Sequence, residues 1–172
     1  MFNTLSRMLH TGLLTEPLPV LNEAIPALET LQKDVLGILG RALCIRHVDA
    51  GSCNGCELEI QALTNPYYNL EGAGIKFVAS PRHADLLLVT GPVSVNMEEA
   101  LKRTYDAMPD PKLVIALGDC GACGGVFAKS YASRGSVASV IPVNNTIAGC
   151  PPSPAAILGC ILQTVRSSAV EA

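Results

Sequence analysis

Two short segments of the sequence are apolar at almost every position: residues 85–90 (DLLLVT) and residues 112–117 (KLVIAL). An unbroken apolar strand is buried on both faces, as in a parallel sheet that helices cover on each side. Consecutive parallel strands also need a long crossover, which is usually a helix. Residues 95–108 lie between the two segments and have the apolar spacing of an amphipathic helix. This order of strand, helix and strand predicts an α/β fold.

Three weaker strand patterns accompany these segments, at residues 42–48, 75–79 and 137–143. A last helix is predicted after Ser153, which is a residue type that caps helices, because Ile157 and Ile161 begin a four-residue apolar repeat. Five strands with intervening helices predict a flavodoxin-like doubly wound parallel sheet over residues 41–172.

The first forty residues have helical patterns instead of strand patterns. Leu5, Met8 and Leu9 share one helical face. A second apolar stripe follows two prolines and consists of Leu28, Leu31, Val35 and Ile38. We predict that residues 1–40 form an N-terminal helical extension that docks on a partner.

Composition narrows the range of functions. Only 16% of the residues are charged, against roughly 25% in ordinary soluble proteins, so we expect other subunits to cover part of the surface. A net charge of −3 leaves no basic excess for phosphate backbones, and nucleic acid is not expected as a partner. No apolar run approaches the ~20 residues of a membrane span. The odd count of seven cysteines disfavours a disulfide scaffold and favours a reducing compartment.

Cysteine and glycine concentrate in three segments, each of which follows the carboxyl end of a predicted strand: residues 51–56 (GSCNGC), 118–125 (GDCGACGG) and 149–152 (GCPP). The carboxyl ends of parallel strands meet at one edge of the sheet, so the three segments are expected to converge there. A 4Fe–4S cluster takes one thiolate on each iron, and glycines let the backbone approach so bulky a core. The predicted ligands are Cys53, Cys56, Cys120 and Cys150.

A zinc site is the alternative. Cys53, Cys56, Cys120 and Cys123 form two Cys-x-x-Cys pairs, which could hold one tetrahedral ion. Such pairs are usually about 15–20 residues apart, whereas 63 residues separate Cys56 from Cys120. Cys123 is then either a packing residue or an alternative cluster ligand.

Four stretches of the chain resemble the small subunit of nickel–iron hydrogenases: residues 49–60 (DAGSCNGCELEI), 80–85 (SPRHAD), 118–125 and 149–152. They are most similar to the energy-converting, membrane-bound branch that includes formate hydrogenlyase, and the resemblance covers roughly residues 41–165. It implies that Cys53, Cys56, Cys120 and Cys150 hold one 4Fe–4S cluster, the one proximal to the nickel–iron centre. Only Cys160 follows Cys150, so a single cluster is expected.

The resemblance also implies a role in a larger assembly. The chain would pass electrons from a ferredoxin or a ferredoxin-like subunit to the nickel–iron site of a large subunit, where protons are reduced. The complex would dock on membrane subunits that translocate ions, which predicts a peripheral position on the cytoplasmic side of the membrane. The alternative is a complex I-like oxidoreductase whose partner lacks nickel and iron and reduces quinone or sulfur species.

Five other polar residues lie within or near these stretches. Glu57 could relay protons or face the large subunit, but an acidic residue in a first helical turn also stabilises the helix dipole. Arg82 and His83 could contact the large subunit or adjust the cluster, or belong to a solvated loop. Arg46 and His47 end the first strand, and an ordinary core histidine is the simpler interpretation of His47.

Overall fold

The computed structural model describes residues 28–128 and 130–171. Five parallel strands form one sheet: β1 (Leu43–Asp49), β2 (Ile75–Phe77), β3 (Leu86–Thr90), β4 (Leu113–Leu117) and β5 (Asn145–Ile147). Their spatial order is β2-β1-β3-β4-β5, which is the order of the flavodoxin-like doubly wound sheet. The predicted fold class is confirmed.

Helices connect and cover the strands. The α-helices are α1 (Leu28–Leu39), α2 (Gly55–Ala62), α3 (Glu98–Asp106), α4 (Gly118–Cys123) and α5 (Pro154–Glu171). Three short 3₁₀ helices cover Pro81–His83, Gly125–Phe127 and Val137–Ser139. The cysteine- and glycine-rich segment 118–125 is therefore mostly helical.

The sheet separates two apolar layers, and β3 at its centre is buried throughout. Leu86 and Leu88 belong to the layer that also contains core residues of α1, α2 and α5. Leu87 and Val89 belong to the opposite layer, where Leu101 of α3 is fully buried. Burial on both faces explains why residues 85–90 are apolar without alternation.

Local signals in the sequence account for two of the helices. Lys102 and Arg103 each pair with the glutamate four residues earlier, at 2.8 Å in both cases, as the spacing predicts. The Ser153 hydroxyl accepts the backbone N–H of Ala156 at 3.3 Å, which caps the first turn of α5.

The predicted fifth strand was wrong. Residues 137–143 contain the 3₁₀ helix Val137–Ser139, and the strand at that edge is Asn145–Ile147. Val137 and Ile141 are buried in the layer on the α3 side, so their spacing reflects packing rather than strand alternation. Pro142 has no N–H to donate to a ladder, which further disfavours a strand there.

The predicted N-terminal extension is described only in part. Leu5, Met8 and Leu9 lie outside the described residues. Helix α1 forms where the second stripe predicts it, and Val35 is fully buried in the core layer that also contains residues of α5. Docking of residues 1–40 on a partner, and the boundary at residue 40, stay predictions.

Candidate metal centre

One cavity of about 120 Å³ lies at the carboxyl edge of the sheet, and four cysteines line it: Cys53, Cys56, Cys120 and Cys150. They come from segments that follow β1, β4 and β5, and Gly91 after β3 lines the same cavity. Cys56 and Cys120 are half-buried, whereas Cys53 and Cys150 are exposed. The structure thus brings together the four cysteines that the sequence singled out.

A turn at the end of β1 positions the first pair of thiols. The Asp49 carboxylate accepts the backbone N–H groups of Gly51 and Ser52 at 2.8 and 2.7 Å. This arrangement is an Asx turn, in which a side chain replaces the backbone acceptor. Helix α2 begins two residues after Cys53, so Cys56 lies in its first turn.

Reciprocal hydrogen bonds join the other two segments. The Asp119 backbone N–H donates to the Gly149 carbonyl at 2.9 Å, and the Asp119 carboxylate accepts the Gly149 N–H at 2.8 Å. Because Asp119 precedes Cys120 and Gly149 precedes Cys150, this link holds together the two backbone segments that carry these cysteines. It joins the start of α4 to the loop after β5.

Two glycines make room for the cysteine sulfurs. A Cβ on Gly118 would lie 2.9 Å from the Cys56 sulfur, and one on Gly125 would lie 2.8 Å from the Cys120 sulfur. Both glycines have positive φ, at 77° and 53°. Any other residue would therefore be strained in its backbone and would also press on a thiol.

Electrostatics couple the four thiols. Burial raises the pKa of Cys56 to about 11, helped by the negative charge of Glu57 and by the other three cysteines. Burial also raises the pKa of Cys120, and Cys150 and Cys53 raise it further. The raised pKa keeps Cys56 and Cys120 protonated at neutral pH. A positively charged metal centre bound to them would displace those protons.

The remaining cysteines lie elsewhere. Cys123 is exposed, is not part of the cavity lining, and donates its thiol proton to the Asp119 carbonyl at 3.1 Å. Cys44 is buried in β1, and Cys160 is half-buried in α5. The zinc set that includes Cys123 therefore does not share one cavity.

No group of three or more His, Cys, Asp or Glu side chains within residues 28–128 and 130–171 is arranged to hold a single metal ion. A 4Fe–4S cluster has a different requirement, because each thiolate binds its own iron.

Glu57 is buried without a hydrogen bond to either carboxylate oxygen from the described residues. Its nearest basic atom is Nε2 of His47, 3.7 Å away, and the same nitrogen is 3.0 Å from the Thr90 hydroxyl. Burial lowers the pKa of His47. The sequence marked Glu57 as a candidate but did not indicate its burial. The glutamate is buried while neighbouring Leu58 is exposed, which is the reverse of what their side-chain types suggest.

The Asp119 link gives a first prediction. Replacing Asp119 with alanine removes the acceptor of the Gly149 N–H, and we expect the free energy of unfolding to fall by about 1.5–3 kcal/mol. Asp119→Asn keeps an oxygen at that position and should lose less than half as much. Urea denaturation of both variants measures the difference, and equal losses would contradict a role for this hydrogen bond.

Comparison with known proteins places the chain in a family. Residues 53–164 match the model of the family described as NADH ubiquinone oxidoreductase, 20 kDa subunit. This match covers well over half of the chain and includes all four candidate cysteines. The chain belongs to this family. Members of the 20 kDa subunit family are subunits of oxidoreductase complexes, so the chain is a small subunit of a hydrogenase-like or complex I-like oxidoreductase, as the sequence resemblance implied.

Two relatives are similar to the chain over most of its length. The probable membrane-bound hydrogenase subunit mbhJ of Pyrococcus furiosus is 49% identical over 120 residues, which are 70% of this chain and 72% of the relative. Formate hydrogenlyase subunit 7 of Escherichia coli is 41% identical over 141 residues, which are 82% of this chain. The matched part is just over half of that relative, at 55% of its length.

A solved structure supports the fold independently. The membrane-bound sulfane sulfur reductase, an archaeal respiratory membrane complex, contains a chain that superposes with a TM-score of 0.61 at 30% identity. The superposition covers 84% of this chain and 75% of the other.

Proposed function

We propose that the chain is the electron-transfer subunit of a membrane-bound, ferredoxin-linked nickel–iron hydrogenase complex and carries its proximal 4Fe–4S cluster. One observation supports this most: thiols from three separate segments line a single cavity. Membership of the 20 kDa subunit family and the two hydrogenase relatives support the class of complex.

Cys53, Cys56, Cys120 and Cys150 would each hold one iron of the cluster. When bound, the cluster supplies reversible one-electron transfer. The donor set fits it because all four residues are thiols, and the glycine cradle fits it because Gly118 and Gly125 leave space where a Cβ would press on a ligand sulfur. This chain would hold the cluster in place and form its surroundings, whereas the reaction would take place on the large subunit.

An exposed apolar surface beside the cavity supports docking of that large subunit. It consists of Val95, Val126, Phe127 and Tyr131, of which Val126 is 92% and Tyr131 100% exposed. Phe127 and Cys53 line one shallow depression next to the thiol cavity. Exposed apolar clusters of this kind mark protein interfaces, and covering this one would also exclude water from the cluster.

Association with the membrane would come from other subunits of the complex. No helix in the described part of the chain has the length and apolar character to cross a bilayer. Relatives in membrane-bound complexes support membrane partners in general. The proposal adds that these partners translocate ions and hold the chain at the cytoplasmic side. A ferredoxin or a ferredoxin-like subunit is the proposed electron donor.

The similarity to a chain of the sulfane sulfur reductase favours a second candidate function. The sulfane sulfur reductase chain superposes over 84% of this chain, so the same electron-transfer subunit could serve a partner that lacks nickel and iron and reduces sulfur species or quinone. Nickel analysis of the purified complex distinguishes the two, because only a hydrogenase contains nickel in its large subunit.

Metal analysis of the full chain, purified anaerobically, tests the proposal. We expect brown protein with about four iron atoms per chain and no stoichiometric zinc. Colourless protein that contains one zinc ion per chain would overturn the cluster assignment. For the complex, hydrogen evolution with reduced ferredoxin is the expected activity.

A further inference from the structure

One side of the sheet has little helical cover at the β2 edge. Phe77 ends β2 and Leu86 begins β3, so only eight residues connect two parallel strands that lie on either side of β1. Such a crossover usually contains an α-helix. Here it contains only the 3₁₀ helix Pro81–His83. No α-helix of this crossover therefore covers β1 and β2 on this side, and Cys44, Lys76 and Val78 line a cleft there instead.

A basic cleft occupies this position. It has a volume of about 460 Å³, and its basic side chains are Arg41, Lys76, Arg82 and His83. Lys76, Arg82 and His83 are exposed, and none of them pairs with a carboxylate among the described residues. The basic cleft is a local feature, because the chain as a whole has a net charge of −3.

The one carboxylate that lines the basic cleft is already engaged. Asp85 pairs with Arg41 and accepts the backbone N–H of Cys44 at 3.0 Å. It therefore ties Arg41 to the start of β3 and leaves the charges of Lys76 and Arg82 uncompensated. Two fixed positive charges in a polar concave site attract a group with more than one negative charge.

We propose that the basic cleft docks a segment of a partner subunit that presents at least two carboxylates. A protein segment suits the site better than a membrane surface, because none of the large apolar side chains that are exposed in the described residues lines the cleft. Binding to a bilayer surface relies on such side chains for insertion, in addition to basic charge. The open part of the sheet also gives the segment a rigid floor.

A zero-length carbodiimide cross-link on the assembled complex tests this docking. The reagent joins an amine directly to a carboxylate with loss of water, so only groups in contact react. We expect mass spectrometry to find Lys76 joined to an aspartate or glutamate of another subunit. Lys76→Arg is the matched control, since it keeps the charge but removes the amine, and it should lose the cross-link while retaining the subunit.

Charge reversal tests the same contact by a second route. Lys76→Glu with Arg82→Glu should reduce retention of the cross-linked subunit in the purified complex by about tenfold or more, because like charges then face each other. Arg103→Glu with Arg166→Glu changes the net charge equally outside the basic cleft and should retain every subunit. Iron content should stay unchanged in both variants, so this proposal can fail without affecting the cluster assignment.

Two results would overturn the proposal. One is a Lys76 amine that stays fully reactive towards a small acylating reagent in the assembled complex and forms no cross-link. The other is a charge-reversed complex that retains all its subunits but no longer floats with vesicles of phosphatidylglycerol. That second result would assign the basic cleft to lipid headgroups.

Discussion

Cys120→Ser and Cys150→Ser are each expected to reduce the iron content of the chain from about four atoms to near zero. The two side chains line the cavity from different segments, and no described thiol other than the four candidate ligands lines it. A serine oxygen is a poor substitute for a thiolate on iron, which prefers sulfur ligands in such clusters. Cys53→Ser should have the same effect.

Three other cysteines provide controls for this experiment. Cys44→Ala and Cys160→Ala change thiols outside the cavity and should keep full iron, with a packing cost of order 1 kcal/mol. Cys123→Ser tests the nearest alternative ligand and should also keep full iron, because Cys123 is exposed and bonded to its own helix. Iron content and visible absorbance of the anaerobically purified variants are the measurements.

One pattern in this set would contradict the assignment. Full iron in Cys150→Ser together with depleted iron in Cys123→Ser would make Cys123 the fourth ligand. The exposed position of Cys150 makes this comparison informative, since both residues are accessible to solvent.

The sequence predicted the parts of the fold that depend on burial. Strands β3 and β4 are apolar at every position except Thr90 because helices cover them on both sides, and this signal needs only local residues. Strand β5 was missed because it is a three-residue edge strand with one buried side chain, Ile147. Its Asn145 amide donates to the Thr164 hydroxyl of α5 at 3.1 Å, a tertiary contact that no local pattern encodes.

The candidate site was likewise predictable from the sequence only in part. Convergence of the three cysteine segments follows from the order of the strands, which the sequence predicts. The side-chain environment of the site does not follow from the order of the strands. The burial of Glu57 without a hydrogen-bond partner and the open sheet beneath the basic cleft both depend on how elements pack in three dimensions.

Gly118→Ala is expected to impair cluster binding, in addition to an ordinary loss of stability. The residue has a φ of 77°, so alanine there is strained by about 1–2 kcal/mol. Its Cβ would also lie 2.9 Å from the Cys56 sulfur, too close for an unshifted side chain. Because Cys56 must keep its position to hold iron, we expect iron content to fall by more than about half, along with stability.

Gly74→Ala separates these two effects. Gly74 has nearly the same φ, at 79°, but no atom lies within 4 Å of a Cβ built there. It should lose a similar amount of stability in urea denaturation and keep its full iron content. A second pair repeats the comparison: Gly125 has Cys120 Sγ 2.8 Å from its Cβ position, and Gly135 has positive φ with open space. If iron content falls equally in all four variants, backbone strain alone explains the loss, and contact with the ligand sulfurs plays no part.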